Sequence, residues 1–283
     1  MKFNSRKIAA KSRVFLRQFP FVCFILLVSL FFSSCGERKF ESNDSLLRKA
    51  IESAVDRGEW QEAKAWAFKA VNQNGKDANA RVVFALTLEQ SDELDRALEE
   101  VKQAVLLDPD NFMAQYTKGR LLFKSESYED CPAPLEHAKK LKPDCPQVLS
   151  LLARSYAYLG VDDKAIKNYA ALAKLGEYRK SPEVYNELGV LFFAKKDYKR
   201  AARFFKKALS FDANAPVVNL NMGVLCDTLT LACENVDRKR KYARISEKHY
   251  IRYLKFTTGN LSIEKSRRTV VARIKKIRSL TSQ

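Results

Sequence analysis

The chain is poor in the residue types that build most catalytic and metal centres. It has two histidines, His137 and His249, in 283 residues, and neither stands in an H-E-x-x-H or any other metal spacing. The six cysteines include no C-x-x-C pair, so neither a thiolate zinc site nor a dithiol redox centre is expected. Nine glycines are scattered singly, which leaves no Gly-rich loop to cradle a phosphate. No G-x-S-x-G occurs. The one S-x-x-K, Ser262 to Lys265, falls where a last helix should begin, and Ser262 is read as its N-cap. No catalytic residue, metal or cofactor is assigned. The chain is expected to act by binding and not as an enzyme.

Acidic residues are scarce at both ends. Met1 to Gln18 holds six basic residues (Lys2, Arg6, Lys7, Lys11, Arg13, Arg17) and no acidic one. Residues 236–283 hold 15 Lys and Arg against Asp237, Glu247 and Glu264, a net charge of +12. The whole chain is +18, so residues 35–235 sum to zero. The high isoelectric point describes two ends and not the body.

After the basic start, Phe19 to Phe32 is apolar apart from Pro20 and Ser29. A charged n-region, a short apolar h-region and a small-residue exit are the parts of a secretory signal. Fourteen residues fall short of the ~20 that a spanning helix needs. The exit, "FSSC" at 32–35, resembles the lipobox of bacterial lipoproteins, with Phe32 where that family commonly has an aliphatic residue. The resemblance implies cleavage of residues 1–34, lipid on Cys35, and a linker at 35–43. Several acyl chains hold a protein firmly at a bilayer where one does so marginally. Gly36 after the cysteine, in place of Asp, implies the outer membrane under the common sorting rule, on the periplasmic side of the cell envelope. Of the other cysteines, Cys23 leaves with the signal, and Cys131, Cys145, Cys226 and Cys233 are expected as buried or free thiols. Cys226 and Cys233 are seven residues apart on one expected helix, about 10 Å, too far for a disulfide.

One pattern recurs along the body: "GEWQEAKAWAFKAV", "SDELDRALEEVKQAV", "KDYKRAARFFKKAL". The first small residue of each recurrence stands at Ala63, Ala97, Cys131, Ala165 and Ala201, with spacings of 34, 34, 34 and 36. Twelve residues before it another small residue usually stands, at Ala85, Gly119, Ala153 and Gly189. Pro109 and Pro143 mark helix ends, and Pro132 and Pro134 mark a late helix start in the third unit. Two antiparallel helices approach closely through such small residues, and one hairpin cannot bury its own apolar face, so hairpins stack.

The spacing resembles the tetratricopeptide repeat (TPR) family. The expected fold is all-α, a TPR solenoid of about six hairpins over 44–260 (44–77, 78–111, 112–145, 146–181, 182–215, 216–260). A basic capping helix follows at 261–283. The sixth unit pairs "VVNLNMGVLCDTL" with "SEKHYIRYLKFTTGN", with extra residues including "DRKRK" between them. The apolar stripe Ile263, Val270, Ile274, Ile277, Leu280 gives the cap a face for the last repeat.

In the TPR family the first helix of each pair lines a concave groove. Carried over by position, the resemblance implies a partner-binding groove of Tyr116, Arg120, Phe123, Lys124, Arg154, Tyr158, Asn186 and Phe193, with Tyr116 and Arg154 facing outward. The family's carboxylate clamp has no counterpart at Arg48/Glu52, Val82/Leu86 or Tyr116/Arg120. A lipobox joined to such repeats resembles envelope-assembly lipoproteins such as type IV pilus pilotins. That likeness implies a membrane-anchored, periplasm-facing scaffold or adaptor holding another envelope protein or a peptide segment of one. A rival reading is a polyanion- or anionic-membrane-binding protein acting through a basic patch of Arg238, Lys239, Arg240, Lys241, Arg267, Arg268, Lys275 and Lys276. An acidic partner is then expected at the C-terminus; nucleic acid is not the expected one. If Cys35 carries the lipid, Cys35→Ser accumulates as an uncleaved precursor that takes up no labelled fatty acid. Normal processing of that variant would remove the lipobox reading.

Overall fold

A computed structural model describes residues 42–281. The leader, Cys35 and the linker up to residue 41 lie outside the described residues, and the lipidation expectation with them. Every regular element described is helical. The α-helices are α1 (Ser42–Asp56), α2 (Trp60–Gln73), α3 (Ala78–Gln90), α4 (Leu94–Leu107), α5 (Phe112–Lys124), α6 (Pro132–Leu141), α7 (Pro146–Tyr158), α8 (Asp162–Leu172), α9 (Pro182–Ala194), α10 (Tyr198–Phe211), α11 (Pro216–Ala232), α12 (Val236–Phe256) and α13 (Glu264–Thr281). Short 3-10 segments lie at Gly176–Lys180 and Leu261–Ile263.

Local chemistry sets these boundaries. Asp77, Asn111, Ser181, Asp197 and Asn235 cap α3, α5, α9, α10 and α12, each side chain accepting a backbone N–H of the first turn. Pro132, Pro146, Pro182 and Pro216 open α6, α7, α9 and α11, where no intrahelical N–H bond is lost. The turn within each of the first five hairpins is set by one residue in the left-handed region: Gly58 (φ 73°), Asp92 (61°), Glu126 (63°), Gly160 (73°) and Lys196 (62°). Those positions repeat at 34, 34, 34 and 36, so the period of the small residues is also the period of the backbone. Three of the five are not glycine, and each tolerates a conformation that L-residues seldom adopt.

The described residues form two compact units, one ending at Val161 and the other beginning at Asp162. In the first, α1 to α7, each helix packs on the next in sequence, and α3 also touches α5 and α5 touches α7. Its fully buried side chains include Val82, Leu88, Val101, Leu121, Leu135, Leu149 and Leu152. In the second, α8 to α13, the same order holds and α9 also touches α11; Leu172, Leu188, Phe205, Leu225 and Ile277 fill it. The small positions read from the sequence are buried, and the three glycines among them lie where the two helices of a hairpin approach closely. Ala63, Ala97, Cys131, Ala165 and Ala201 are wholly buried. A Cβ on Gly119 would collide with Leu135, one on Gly189 would lie 2.5 Å from the Phe205 ring, and one on Gly223 2.6 Å from the Tyr250 ring.

The sixth hairpin corrects one expectation. "DRKRK" does not sit between two helices; it lies in the opening turns of α12. Compared with the fifth hairpin, α11 is 17 residues to α9's 13, and α12 is 21 to α10's 14. The extra four and seven residues make about three complete turns, so Gly223 still faces Ser246, whose hydroxyl donates to the Gly223 carbonyl at 2.9 Å. Cys233 consequently falls just beyond α11, at its C-cap. Ser262 is not the N-cap of the last helix either. It lies in the 3-10 segment before Glu264 and donates both its N–H (3.1 Å) and its hydroxyl (2.6 Å) to Asn260 Oδ1.

The cap helix does cover α12. Val270, Ile274 and Ile277 are buried with Ala243, Tyr250 and Tyr253, and Ile263 packs against them. Gly189→Val tests the close approach: the branched side chain must displace the buried Phe205 ring, and overpacking of this kind costs about 1–3 kcal/mol. The urea midpoint of the variant, followed by circular dichroism, should fall accordingly, whereas Gly75→Ala, where an added Cβ meets nothing closer than 3.7 Å, should shift it far less.

Candidate functional site

In the first unit the C-terminal ends of α5 and α7 bring three of the groove residues, Phe123, Arg154 and Tyr158, together with Tyr128. Phe123 meets the Tyr158 ring edge-on at 5.6 Å and the Tyr128 ring edge-on at 5.2 Å, while Tyr128 and Tyr158 stack face to face at 4.3 Å. The Arg154 guanidinium lies over Phe123, 4.6 Å from the ring centre. All four side chains are half-buried. Burial, and then the neighbouring Tyr158, pushes the Tyr128 hydroxyl above its ordinary pKa, so it stays a neutral donor. Tyr128 precedes α6 and lies on no groove helix, so no groove position marks it in the sequence.

The other groove residues are placed differently. Tyr116 does not face outward: it is 6% exposed and stacked on Phe112. Arg120 is committed to Glu89, a carboxylate only 5% exposed on α3, which accepts from Arg120 Nη1 at 2.8 Å; Lys124 adds a second cation at 3.6 Å. That pair joins the second and third hairpins and leaves Arg120 less available to a partner. In the second unit Asn186 is 3% exposed and accepts from Asn221 at 2.9 Å, a cross-link between α9 and α11. Phe193 repeats the Phe123 arrangement, tilted against Tyr198 at 5.6 Å.

Charge divides with the units. Residues 42–161 hold 16 Lys and Arg against 19 Asp and Glu, a net −3, whereas residues 162–283 hold 27 against 12, a net +15. Within the second unit the basic residues have two roles. Arg267 is no part of a free patch: its Nη1 donates to the Leu254 carbonyl and to Thr257 Oγ1, both at 2.7 Å, closing the C-terminal end of α12. Arg273 reaches past α12 to Asp227 on α11, donating from Nε at 2.7 Å and also from Nη2; Asp227 is 6% exposed. Arg238, Arg240 and Lys241 are exposed and Lys239 half-exposed on α12, and Lys275 and Lys276 are exposed on α13. Arg268 is exposed beside Glu264, 3.3 Å away.

The remaining titratable groups point to structure and not to chemistry. Burial pushes the Cys131 and Cys226 thiols up to about 11, which keeps them protonated and unreactive at neutral pH. Cys131, Cys145, Cys226 and Cys233 are all free. His249, on α12 against Asn219 Oδ1 at 2.8 Å, is held down to about 4 by burial and by Arg252 and Lys248. Among the described residues no group of three or more His, Cys, Asp or Glu is placed to hold a metal, and no helix is long and apolar enough to cross a membrane.

A family model for the tetratricopeptide repeat matches residues 82–144 and 150–216. A relative, Hsp70-Hsp90 organizing protein 2 of Arabidopsis thaliana, is 29% identical over 129 residues, 45% of this chain; the match spans only 22% of that protein's length. Solved structures share the fold. MamA 41-end from Desulfovibrio magneticus RS-1 has 22% identity over 62% of this chain and 99% of that one, with a TM-score of 0.57. YrrB, titled a TPR protein with an unusual peptide-binding site, has 18% identity over 71% and 97%, at 0.57. Pseudomonas aeruginosa pilF has 20% identity over 77% and 99%, at 0.56. Identities this low establish the fold alone: TPR hairpins of the solenoid type.

The Arg273–Asp227 pair makes α13 part of the sixth hairpin. Arg273→Ala strands a buried carboxylate, which costs about 3 kcal/mol, and should lower the melting temperature of the full chain. Replacing both partners, Asp227→Asn with Arg273→Leu, should recover most of that loss. If the single variant melts like the parent, α13 is not locked by this pair.

Proposed function

We propose that this tetratricopeptide-repeat protein is a non-catalytic interaction scaffold that binds a peptide segment of another envelope protein, held at the bacterial envelope by lipid on Cys35 and facing the periplasm. One observation carries the binding half: the half-buried cluster of Phe123, Tyr128, Tyr158 and Arg154. Tyr and Arg are enriched where interfaces concentrate their binding energy, and rigid rings with a cation above them lose little entropy when a partner docks. The YrrB title names a peptide-binding site on a fold of the same type, which supports a peptide as the ligand class. The relative named for organizing Hsp70 and Hsp90 suggests a chaperone tail instead. Val82/Leu86 and Tyr116/Arg120 argue against that, since Val82 and Leu86 are apolar and buried and Arg120 is paired with Glu89. The envelope half of the proposal draws on the sequence alone: the basic start, the apolar run and "FSSC".

The test is recovery of partner proteins from detergent-solubilised membranes. Arg154→Ala with Tyr158→Ser should reduce recovery about tenfold or more while helical content stays constant and melting shifts only slightly, the lost ring contacts being worth about 0.5–1.5 kcal/mol. Tyr116→Ala is the contrast, because a buried ring should lower melting as well. Unchanged recovery with Arg154→Ala/Tyr158→Ser would move recognition off this cluster.

A further inference from the structure

The second unit carries a row of cations that the fold does not use. On α12 the core-facing side is set by Ala243, Ser246, Tyr250 and Tyr253. The opposite side carries Lys241, Arg244, Lys248, Arg252 and Lys255, at steps of three and four residues, one stripe of the helix that runs for about 21 Å. None of these five pairs with a carboxylate among the described residues. The acidic groups beside them are engaged or apart: Glu247 accepts from Arg278 at 2.6 Å, Glu264 faces Arg268, and Asp237 stands in the first turn of the helix. Next to the row, α13 presents Lys265, Lys275 and Lys276, all exposed.

Apolar side chains are set among these cations instead of being buried. Ile251 is 45% exposed in the middle of the row, Phe256 42% at its end, and Val271 42% on α13. Between the two helices Leu254, Val271 and Ala272 floor a shallow depression of about 370 Å³ rimmed by Arg267, Arg268, Lys275 and one carboxylate, Glu264, which already faces Arg268. The helices cannot roll to hide this face, because Arg273 and Arg267 fix α13 on α11 and α12.

We propose that the outer face of α12 and α13 docks on an anionic phospholipid surface. A row of cations that pair with no carboxylate defines charge but no register, which suits a layer of mobile headgroups. Exposed Ile, Phe and Val between the cations suit the headgroup–acyl boundary, where a basic amphipathic face beds its apolar residues. A strictly electrostatic ligand such as nucleic acid or polyglutamate would gain nothing from those apolar groups. This inference rests on the α12–α13 face and not on the aromatic cluster or on Cys35.

Vesicle sedimentation of the full chain tests it. The apolar N-terminal run can enter any bilayer, so the readout is the ratio of partition into vesicles with 30 mol% phosphatidylglycerol over pure phosphatidylcholine, at about 0.1 M salt. Each basic residue near an anionic surface is worth roughly fivefold in partition, so the parent ratio should exceed about tenfold. Lys241→Gln/Arg244→Gln/Lys248→Gln/Lys255→Gln should bring it close to one with unchanged circular dichroism. Ile251→Ser/Phe256→Ser should weaken binding to the anionic vesicles severalfold yet leave binding to polyglutamate and DNA untouched. Arg154→Ala/Tyr158→Ser should keep the parent ratio, which separates this face from the peptide site. A parent ratio near one, or a fourfold Gln variant that keeps the parent ratio, overturns the proposal. So does unaltered vesicle binding by Ile251→Ser/Phe256→Ser beside tight binding to polyglutamate or DNA, which would make the partner an acidic macromolecule.

Discussion

The fold depends on side chains that are missing. At Gly119, Gly189 and Gly223 the first helix of a hairpin offers only backbone, and Leu135, Phe205 and Tyr250 of the second helix lie against it. Ala85 and Ala153 hold the same position with a single methyl and are wholly buried. A glycine in a helix interior costs about 1 kcal/mol relative to alanine, and it persists here because the partner ring or isobutyl group recovers more by burial than that penalty. Once this contact is set, the rest is geometrically forced. The turn must reverse the chain in a few residues, which places one residue of each of the first five hairpins in the left-handed region, and the next hairpin must cover the apolar face left open.

The same contact explains how the sixth hairpin lengthens without losing its register. An insertion of arbitrary size would rotate Ser246 and Tyr250 away from Gly223. Eleven residues make about three full turns, so the facing pair survives, and the extra length projects past the contact as helix. That is why "DRKRK" became helical. Read as composition it looks like a loop, being charged and lacking apolar residues; read as periodicity it continues the pattern that ends in Tyr250 and Tyr253. The charge run was visible in the sequence, but its secondary structure depended on a register across two helices.

What the sequence made legible follows from the same distinction. The period of 34, the small residues and the capping stripe of α13 are local or repeated, and all were readable. The groove residues were legible in part: Phe123, Arg154 and Tyr158 do come together, but a position number within a helix does not say what already occupies the space. Tyr116 and Asn186 are buried, one stacked on Phe112 and the other accepting from Asn221. Arg120 meets Glu89 from 31 residues away, a pairing that no motif announces. Asp92, Glu126 and Lys196 were equally silent: left-handed turns are usually sought through glycine, and these three adopt that conformation under the demand of the hairpin.

Charge shows how much placement adds to composition. A net +12 over 236–283 reads as one basic tail, yet its members divide into two kinds. Arg267 and Arg273 are structural cations, one closing the end of α12 and the other neutralising a buried carboxylate three helices deep. An ion pair of that burial contributes little net stability over an apolar pair of similar shape; its effect is to make α13 obligatory, because Asp227 has no other cation within reach of a salt bridge among the described residues. With α13 thus held, the cations on its outer side and on α12 cannot turn inward to find acidic partners. A face of like charge raises the free energy of the folded unit through self-repulsion, and a fold that locks such a face outward keeps that cost until an anionic surface relieves it.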